Sequence, residues 1–219
     1  MVFDVSSSRH GWIRVYGDIN NKEKLRVVKD NNEVVYTAAE GANFVIPLQF
    51  GAGIYRFYIY RLIEKKMYKC IGSRKLNAKF YNFKEPFLHP NVYVDYDDAF
   101  VDSIVYKFIN EEDYFSTVKD YVVNFYNYDY IRALLKKDVM PDIQRCYEKK
   151  LGTCQDLAAM TVAIWRSLGI PAKLVIGYVG KNYHAWVEYL KKGVWEMFDP
   201  TAEILGRKKK GDYKVERWY

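Results

Sequence analysis

The chain has 219 residues, half of them hydrophobic, with 34 lysines and arginines against 27 acids for a net charge of +7. That is core material for one large domain or two modest ones, and no apolar run approaches the roughly 20 residues of a membrane-spanning helix. Three cysteines without a close CxxC pair speak against a disulfide framework or a zinc site, and three scattered histidines make no ligand cluster, so no metal or cofactor is expected.

The N-terminus, MVFDVSSSRH, lacks the shape of a signal peptide. That fits a cytosolic protein, and equally a secreted one whose leader has been removed. From residue 10 to about 80 the chain reads as strands and turns. GWIRVYG, EKLRVVK and EVVYT are short β-rich runs, with Asp30-Asn31-Asn32 as a hairpin turn. Gly51-Ala52-Gly53 punctuates the entry to IYRFYIYRLI, Glu64-Lys65-Lys66 turns the chain into MYKCI, and RKLNAKF follows. The 21 tyrosines suit half-buried strands. This spacing predicts a small all-β, sandwich-like domain over 1–80, with Cys70 in a strand as core.

A connector over 81–111 contains Pro86 and Pro90. Its acidic stretch DYDDAFVD lacks the glycine and terminal glutamate of a calcium loop and reads as turn and capping residues. In EEDYFSTVKDYVVNFY, Val118, Tyr121, Val122 and Phe125 fall on one helical face. A short helix near Pro141 carries Cys146 as core packing. A further helix opens at Cys154, with Leu157, Met160, Ile164 and Leu168 as its apolar stripe, and is stopped by Gly169 and Pro171. Three β runs follow: AKLVIGY, HAWVEYL and VWEMFDP. Helices leading into an antiparallel sheet make an α+β domain over 112–219. The basic run Arg207-Lys208-Lys209-Lys210 reads as a solvated loop. No nucleic-acid motif accompanies it, so no nucleic-acid partner is expected.

Cys154 opens a helix, His184 opens the second of the last three strands, and Asp199 ends the third. A hairpin around Lys191-Lys192-Gly193 can bring His184 to Asp199, and a helix packed across the sheet can bring Cys154 to the same edge. The helix N-terminus offers partial positive charge and free N–H groups to a thiolate. An imidazole accepts the thiol proton, and a carboxylate behind it fixes the tautomer. First-turn N–H groups can receive an oxyanion. Each residue alone is ordinary: a lone cysteine at a helix start is more often structural, and Asp-Pro after a strand is a common turn.

The segments GTCQDLAAMTVAIWRSLGIPAKLVIGY, HAWVEYL and VWEMFDPT resemble the core of the transglutaminase-like superfamily, which shares the papain-like cysteine, histidine and aspartate arrangement. EPFLHPNVYVDYDD and the β-rich N-terminal part are similar to bacterial, often secreted members. The resemblance implies Cys154 as nucleophile, His184 as general base and acid, and Asp199 as orienting carboxylate, with Trp186 and Thr201 in support. Animal members use an upstream tryptophan for the oxyanion. No tryptophan lies between Trp12 and Trp165 here, which leaves the Cys154 N–H and Tyr128 or Tyr130. The implied chemistry is acyl transfer or hydrolysis on a protein or peptide substrate, cell-wall peptide among them, at an extracellular or cell-surface location. The alternative is an inactive binding module on the same fold.

Overall fold

The computed structural model describes residues 2–17, 23–37, 44–65, 67–80, 82–135, 140–207 and 212–219. The chain forms two compact units, Met1–Val92 and Tyr93–Tyr219. Lys66, in the expected turn, and Lys208, Lys209 and Lys210 of the basic run lie outside the described residues.

Among its described residues the first unit has seven strands: β1 (Val2–Asp4), β2 (Trp12–Tyr16), β3 (Glu23–Lys29), β4 (Asn32–Thr37), β5 (Phe44–Pro47), β6 (Gly53–Glu64) and β7 (Met67–Ala78). They pair as two sheets, β1-β2-β5 and β4-β3-β6-β7, with every pairing antiparallel. Alternation decides which side chains point inward. Ile13, Val15, Leu25, Val27, Tyr36, Ile46, Tyr55 and Phe57 are fully or almost fully buried. The β3–β4 turn places Asp30 at φ 53, a left-handed conformation that aspartate tolerates. MYKCI and RKLNAKF, read from sequence as separate runs, join in one twelve-residue strand, β7. That strand is the sheet edge, and Met67 through Ile71 are exposed along it. Cys70 is therefore an exposed thiol and not core, because an edge strand has a neighbour on one side only.

The second unit begins with α1 (Asp98–Phe108) and α2 (Tyr114–Phe125). The acidic stretch expected as turn and capping residues holds the N-cap of α1, Asp97, which accepts from the Phe100 N–H, and then runs on as the helix itself from Asp98. On α2, Val118, Tyr121 and Val122 are buried as a stripe, while Phe125 in the last turn is 60% exposed. Then come β8 (Asn127–Tyr128), α3 (Tyr130–Leu134), α4 (Ile143–Lys149), β9 (Leu151–Gly152), α5 (Cys154–Ser167), β10 (Ala172–Val179), β11 (Asn182–Lys191), β12 (Val194–Phe198), α6 (Pro200–Ile204) and β13 (Tyr213–Trp218). Cys146, on α4, is fully buried.

The expected amphipathic stripe of α5 widens in the structure to burial on all sides from Asp156 to Arg166. The helix is central, packed on β10 and β11 and flanked by α1, α2, α4 and α6. Ala158, Ala159 and Ala163 keep it slim enough for that. Its C-terminus is a Schellman turn: Gly169 at φ 73, Gly169 N–H to Arg166 O, and Ile170 N–H to Trp165 O.

The sheet order is β12-β11-β10-β13, all antiparallel. β13 is anchored at its end by reciprocal Leu174–Tyr219 backbone bonds and by the buried Arg166 guanidinium, which donates to Ala172 O and Tyr219 O. At its other end a bulge between Ile176 and Gly177 lets β13 lie close over Gly177. A Cβ there would sit 2.0 Å from Lys214 O and 3.0 Å from Glu216 N. Gly177→Ala should therefore cost about 1–3 kcal/mol of stability. A urea midpoint for the variant equal to that of the parent would refute this reading of β13.

Candidate active site

Cys154 is the first residue of α5, and its position is fixed from below. Thr153, extended at ψ 177, is the N-cap. The Asp156 carboxylate accepts from the Thr153 N–H at 2.9 Å, and Thr153 Oγ1 accepts from the Asp156 N–H, which closes a capping box. Asp156 also accepts from the Asp142 N–H at 2.9 Å and pairs with Arg132 Nε at 3.2 Å. Nearby Asp129 is held below the usual carboxylate range by the Arg132 N–H, with Arg145 adding to it against the opposing effect of burial.

The two-residue pair β8 and β9 sets Tyr128 opposite Gly152. Only glycine allows that approach: a Cβ at 152 would come within 2.7 Å of Cys146 Sγ and 2.9 Å of Asp156 Cβ. Tyr128 thereby stands within electrostatic reach of Cys154. Its phenol is raised by burial and by the proximity of that thiol. Tyr130, the other candidate from YNYDY, is 57% exposed and meets Tyr128 edge-on at 5.0 Å.

His184 arrives on β11, and Asp199 follows β12. Lys192 and Gly193 join the strands with φ 49 and 86, a two-residue turn of the kind that matches strand twist. The register runs from Lys191↔Val194 to Val187↔Phe198, and the expected meeting occurs: His184 Nε2 lies 2.8 Å from Asp199 Oδ2. The thiol of Cys154 stands close enough to the same imidazole to bear on its charge. Since Nε2 is committed to Asp199, Nδ1 is the nitrogen left for a partner. The structure thus pairs His184 with Asp199 and places Cys154 within electrostatic reach of that pair.

The electrostatics follow from this arrangement. Burial of the imidazole disfavours its charge, but the hydrogen bond to Asp199 and the proximity of Asp199 and Cys154 outweigh it, raising His184 from 6.5 to about 9. Asp199, 1% exposed, feels burial most strongly, yet His184, the Ala202 N–H and the Tyr213 hydroxyl together hold it below the usual carboxylate range. Its Oδ1 caps α6 through Ala202 N–H at 2.9 Å.

Two aromatic side chains complete the surroundings. Trp186 lies near-parallel to His184 at 6.4 Å, in the supporting place expected of it. Tyr213, which sequence reasoning passed over, donates to Asp199 Oδ2 at 2.8 Å. Its only sequence signal was the alternation in YKVERW, which marks a strand but not what the strand meets. Thr201 is buried in the first turn of α6. Arg207 is exposed, with its N–H on Ala202 O. A cleft of about 740 Å³ elsewhere in this unit is lined by Asp95, Phe100, Arg132 and Asp142 among others, and by none of the three candidates. Chemistry, not cavity size, locates the site. Among the described residues no group of acids, cysteines and histidines could hold a metal ion, and no helix is long and apolar enough to cross a membrane.

Known proteins resemble this chain over a part or most of its length. A 65-residue stretch is 38% identical to the uncharacterized protein ML0607 of Mycobacterium leprae, covering 24% of this chain and 23% of that one. The uncharacterized protein YebA of Bacillus subtilis is 24% identical over 193 residues, 78% of this chain and 26% of YebA. The chain thus spans about a quarter of the length of these relatives. Among solved structures, a protein of Cytophaga hutchinsonii provisionally designated a cysteine protease aligns with a TM-score of 0.50 at 18% identity, over 95% of this chain and 83% of that one. It shares the fold. The family model that matches is the transglutaminase-like superfamily, over residues 98–200. The matched stretch lies in the α+β unit in which a cysteine-bearing helix packs on an antiparallel sheet, and it is this stretch that is similar to the transglutaminase-like superfamily.

Proposed function

We propose that the second unit catalyses thiol-dependent acyl transfer or hydrolysis on amides of proteins or peptides, with Cys154 as nucleophile, His184 as base and acid, and Asp199 as its orienting carboxylate. The observation that carries this reading is one imidazole hydrogen-bonded to the buried Asp199 at 2.8 Å and within electrostatic reach of the Cys154 thiol.

The chemistry balances with these groups alone. The thiol proton moves to His184, and the sulfur bonds to the amide carbonyl carbon. The oxygen of the tetrahedral intermediate takes the negative charge, and the Cys154 N–H, in the first turn of α5, is the backbone donor available to it. The Tyr128 hydroxyl, within electrostatic reach of Cys154, is the side-chain candidate to assist. When the carbon–nitrogen bond breaks, His184 gives its proton to the leaving amine, and a thioester remains. An acceptor amine or water, deprotonated by His184, then attacks the thioester and releases the thiolate, which regains its proton. Amine acceptors give transglutamination, and water gives deamidation or proteolysis. A charged His184 next to Asp199 favours the thiolate–imidazolium pair on which the first step depends.

Iodoacetamide alkylation followed against pH by peptide mass spectrometry tests this directly, and exposed Cys70 is a reference thiol in the same molecule. At pH 6, Cys154 should react at least about tenfold faster than Cys70, and the advantage should vanish in His184→Ala. Cys154 tracking Cys70 across the whole range would leave an inactive binding module as the reading.

The raised His184 also ties stability to pH. Its folded value, about 9, lies above its ordinary 6.5. The imidazolium's contribution is therefore complete below pH 6.5 and lost as pH rises through about 9. Urea midpoints of the wild type should drop over that interval relative to His184→Ala. Parallel curves for the two proteins would contradict a charged His184.

A further inference from the structure

Asp199 is met by a donor that the acyl-transfer chemistry does not call for. Its Oδ2 lies 2.8 Å from His184 Nε2 and also 2.8 Å from the Tyr213 hydroxyl, while Oδ1 takes the Ala202 N–H at 2.9 Å. An ionised carboxylate only accepts, so the tyrosine must be the donor. We propose that Tyr213 is a positioning residue of this site: its hydroxyl locks Asp199 Oδ2 and draws off part of its charge, so that the last strand sets how firmly His184 holds its proton. The inference rests on the acyl-transfer reading above.

The hydroxyl is placed by the sheet and not by a free side-chain rotation. β13 is paired to β10 from Val179↔Tyr213 to Val175↔Trp218, and Gly177 is bracketed by His184 on one side and Val215 on the other. The Tyr213 ring stands edge-on to Trp186 at 5.0 Å, and Trp186 in turn lies against His184. The phenol is raised by burial and by Asp199, so it keeps the proton it donates. The charged and titratable groups around this carboxylate come from four elements. They are Cys154 of α5, His184 of β11, Tyr213 of β13, and Glu203 of α6, whose charge reaches Tyr213.

Two donors on one oxygen compete. Each lowers the charge that the other feels, so the tyrosine tempers the hold of Asp199 on the imidazolium. Without the hydroxyl, Oδ2 serves His184 alone and the imidazolium becomes a weaker acid. Proton delivery to the leaving amine then slows. A tyrosine present only for packing would have neither effect, because phenylalanine packs equally well.

The test uses the full chain as wild type, Tyr213→Phe, Asp199→Asn and a variant with 3-fluorotyrosine at position 213, which keeps the ring and makes the hydroxyl a stronger donor. With only His10, His89 and His184 in the chain, the ring protons of His184 can be followed by NMR against pH. Tyr213→Phe should raise the His184 midpoint by about one unit, the scale of a lost hydrogen bond to a charged group, and 3-fluorotyrosine should lower it. With an amide donor, kcat should fall several-fold in Tyr213→Phe at unchanged KM. A His184 midpoint that is the same in wild type, Tyr213→Phe and the fluorinated protein overturns the proposal. Should Tyr213→Phe not fold, the fluorinated protein decides alone. Failure of the acyl-transfer reading looks different: Cys154 would then alkylate no faster than Cys70, while the His184 midpoint would still respond to Tyr213→Phe and to Asp199→Asn.

Discussion

A buried carboxylate at the foot of the cysteine helix is the constraint on which the rest of the site depends. Asp156 is 1% exposed and cannot be left unpaired, since an uncompensated buried charge costs several kcal/mol. It is compensated from three directions: the Thr153 N–H and hydroxyl at 2.9 and 2.8 Å, the Asp142 N–H at 2.9 Å and the Arg132 guanidinium. Each partner belongs to a different piece of chain. Thr153 caps α5, Asp142 caps α4, and Arg132 lies on α3, itself capped by Asp129. Satisfying one charge therefore fixes the first turn of α5, and with it the sulfur of Cys154, against two neighbouring helices.

The second half of the site is assembled by strand register. A hairpin turn of two residues leaves no freedom in how β11 meets β12, and a one-residue slip would turn His184 to the opposite face. The helix cap and the sheet are independent devices that bring a thiol within electrostatic reach of an imidazole. The first delivers its group by charge satisfaction, the second by hydrogen-bond periodicity. Asp199 joins them, because the residue that orients His184 with one oxygen begins α6 with the other. α6 in turn packs on α5, so an error in either device would be felt in the other.

The legible parts of this molecule were those with short-range physical causes. Strands β2, β3, β4 and β6, the turn at Lys192-Gly193 and the stop at Gly169 follow from alternation, positive φ and glycine and were legible, whereas the short β1 and β5 were not, because three or four residues carry too little alternation. Cys154, His184 and Asp199 could be picked out because a helix start and two strand ends carry local signals. The all-round burial of α5 could not be read, since it depends on how many elements surround a helix and not on its own pattern. Cys70 was misjudged for the same reason: strand residues look alike until it is known which strand is the edge. The beginning of α1 was hidden by Asp95, Asp97 and Asp98, whose capping preference resembles that of a turn.

Tyr213 shows where local reading ends. It is separated from Asp199 by 14 residues, including the basic run, and nothing in YKVERW distinguishes a tyrosine that faces solvent from one that reaches a buried carboxylate. The contact exists because β13 returns to β10 rather than extending the sheet beyond β12, and because Gly177 has no side chain to hold the strands apart. Both conditions are tertiary. A glycine on β10, chosen for closeness of approach, thereby bears on the charge of a histidine on β11. It does so through a tyrosine on β13, and the coupling passes through one sheet with no moving part.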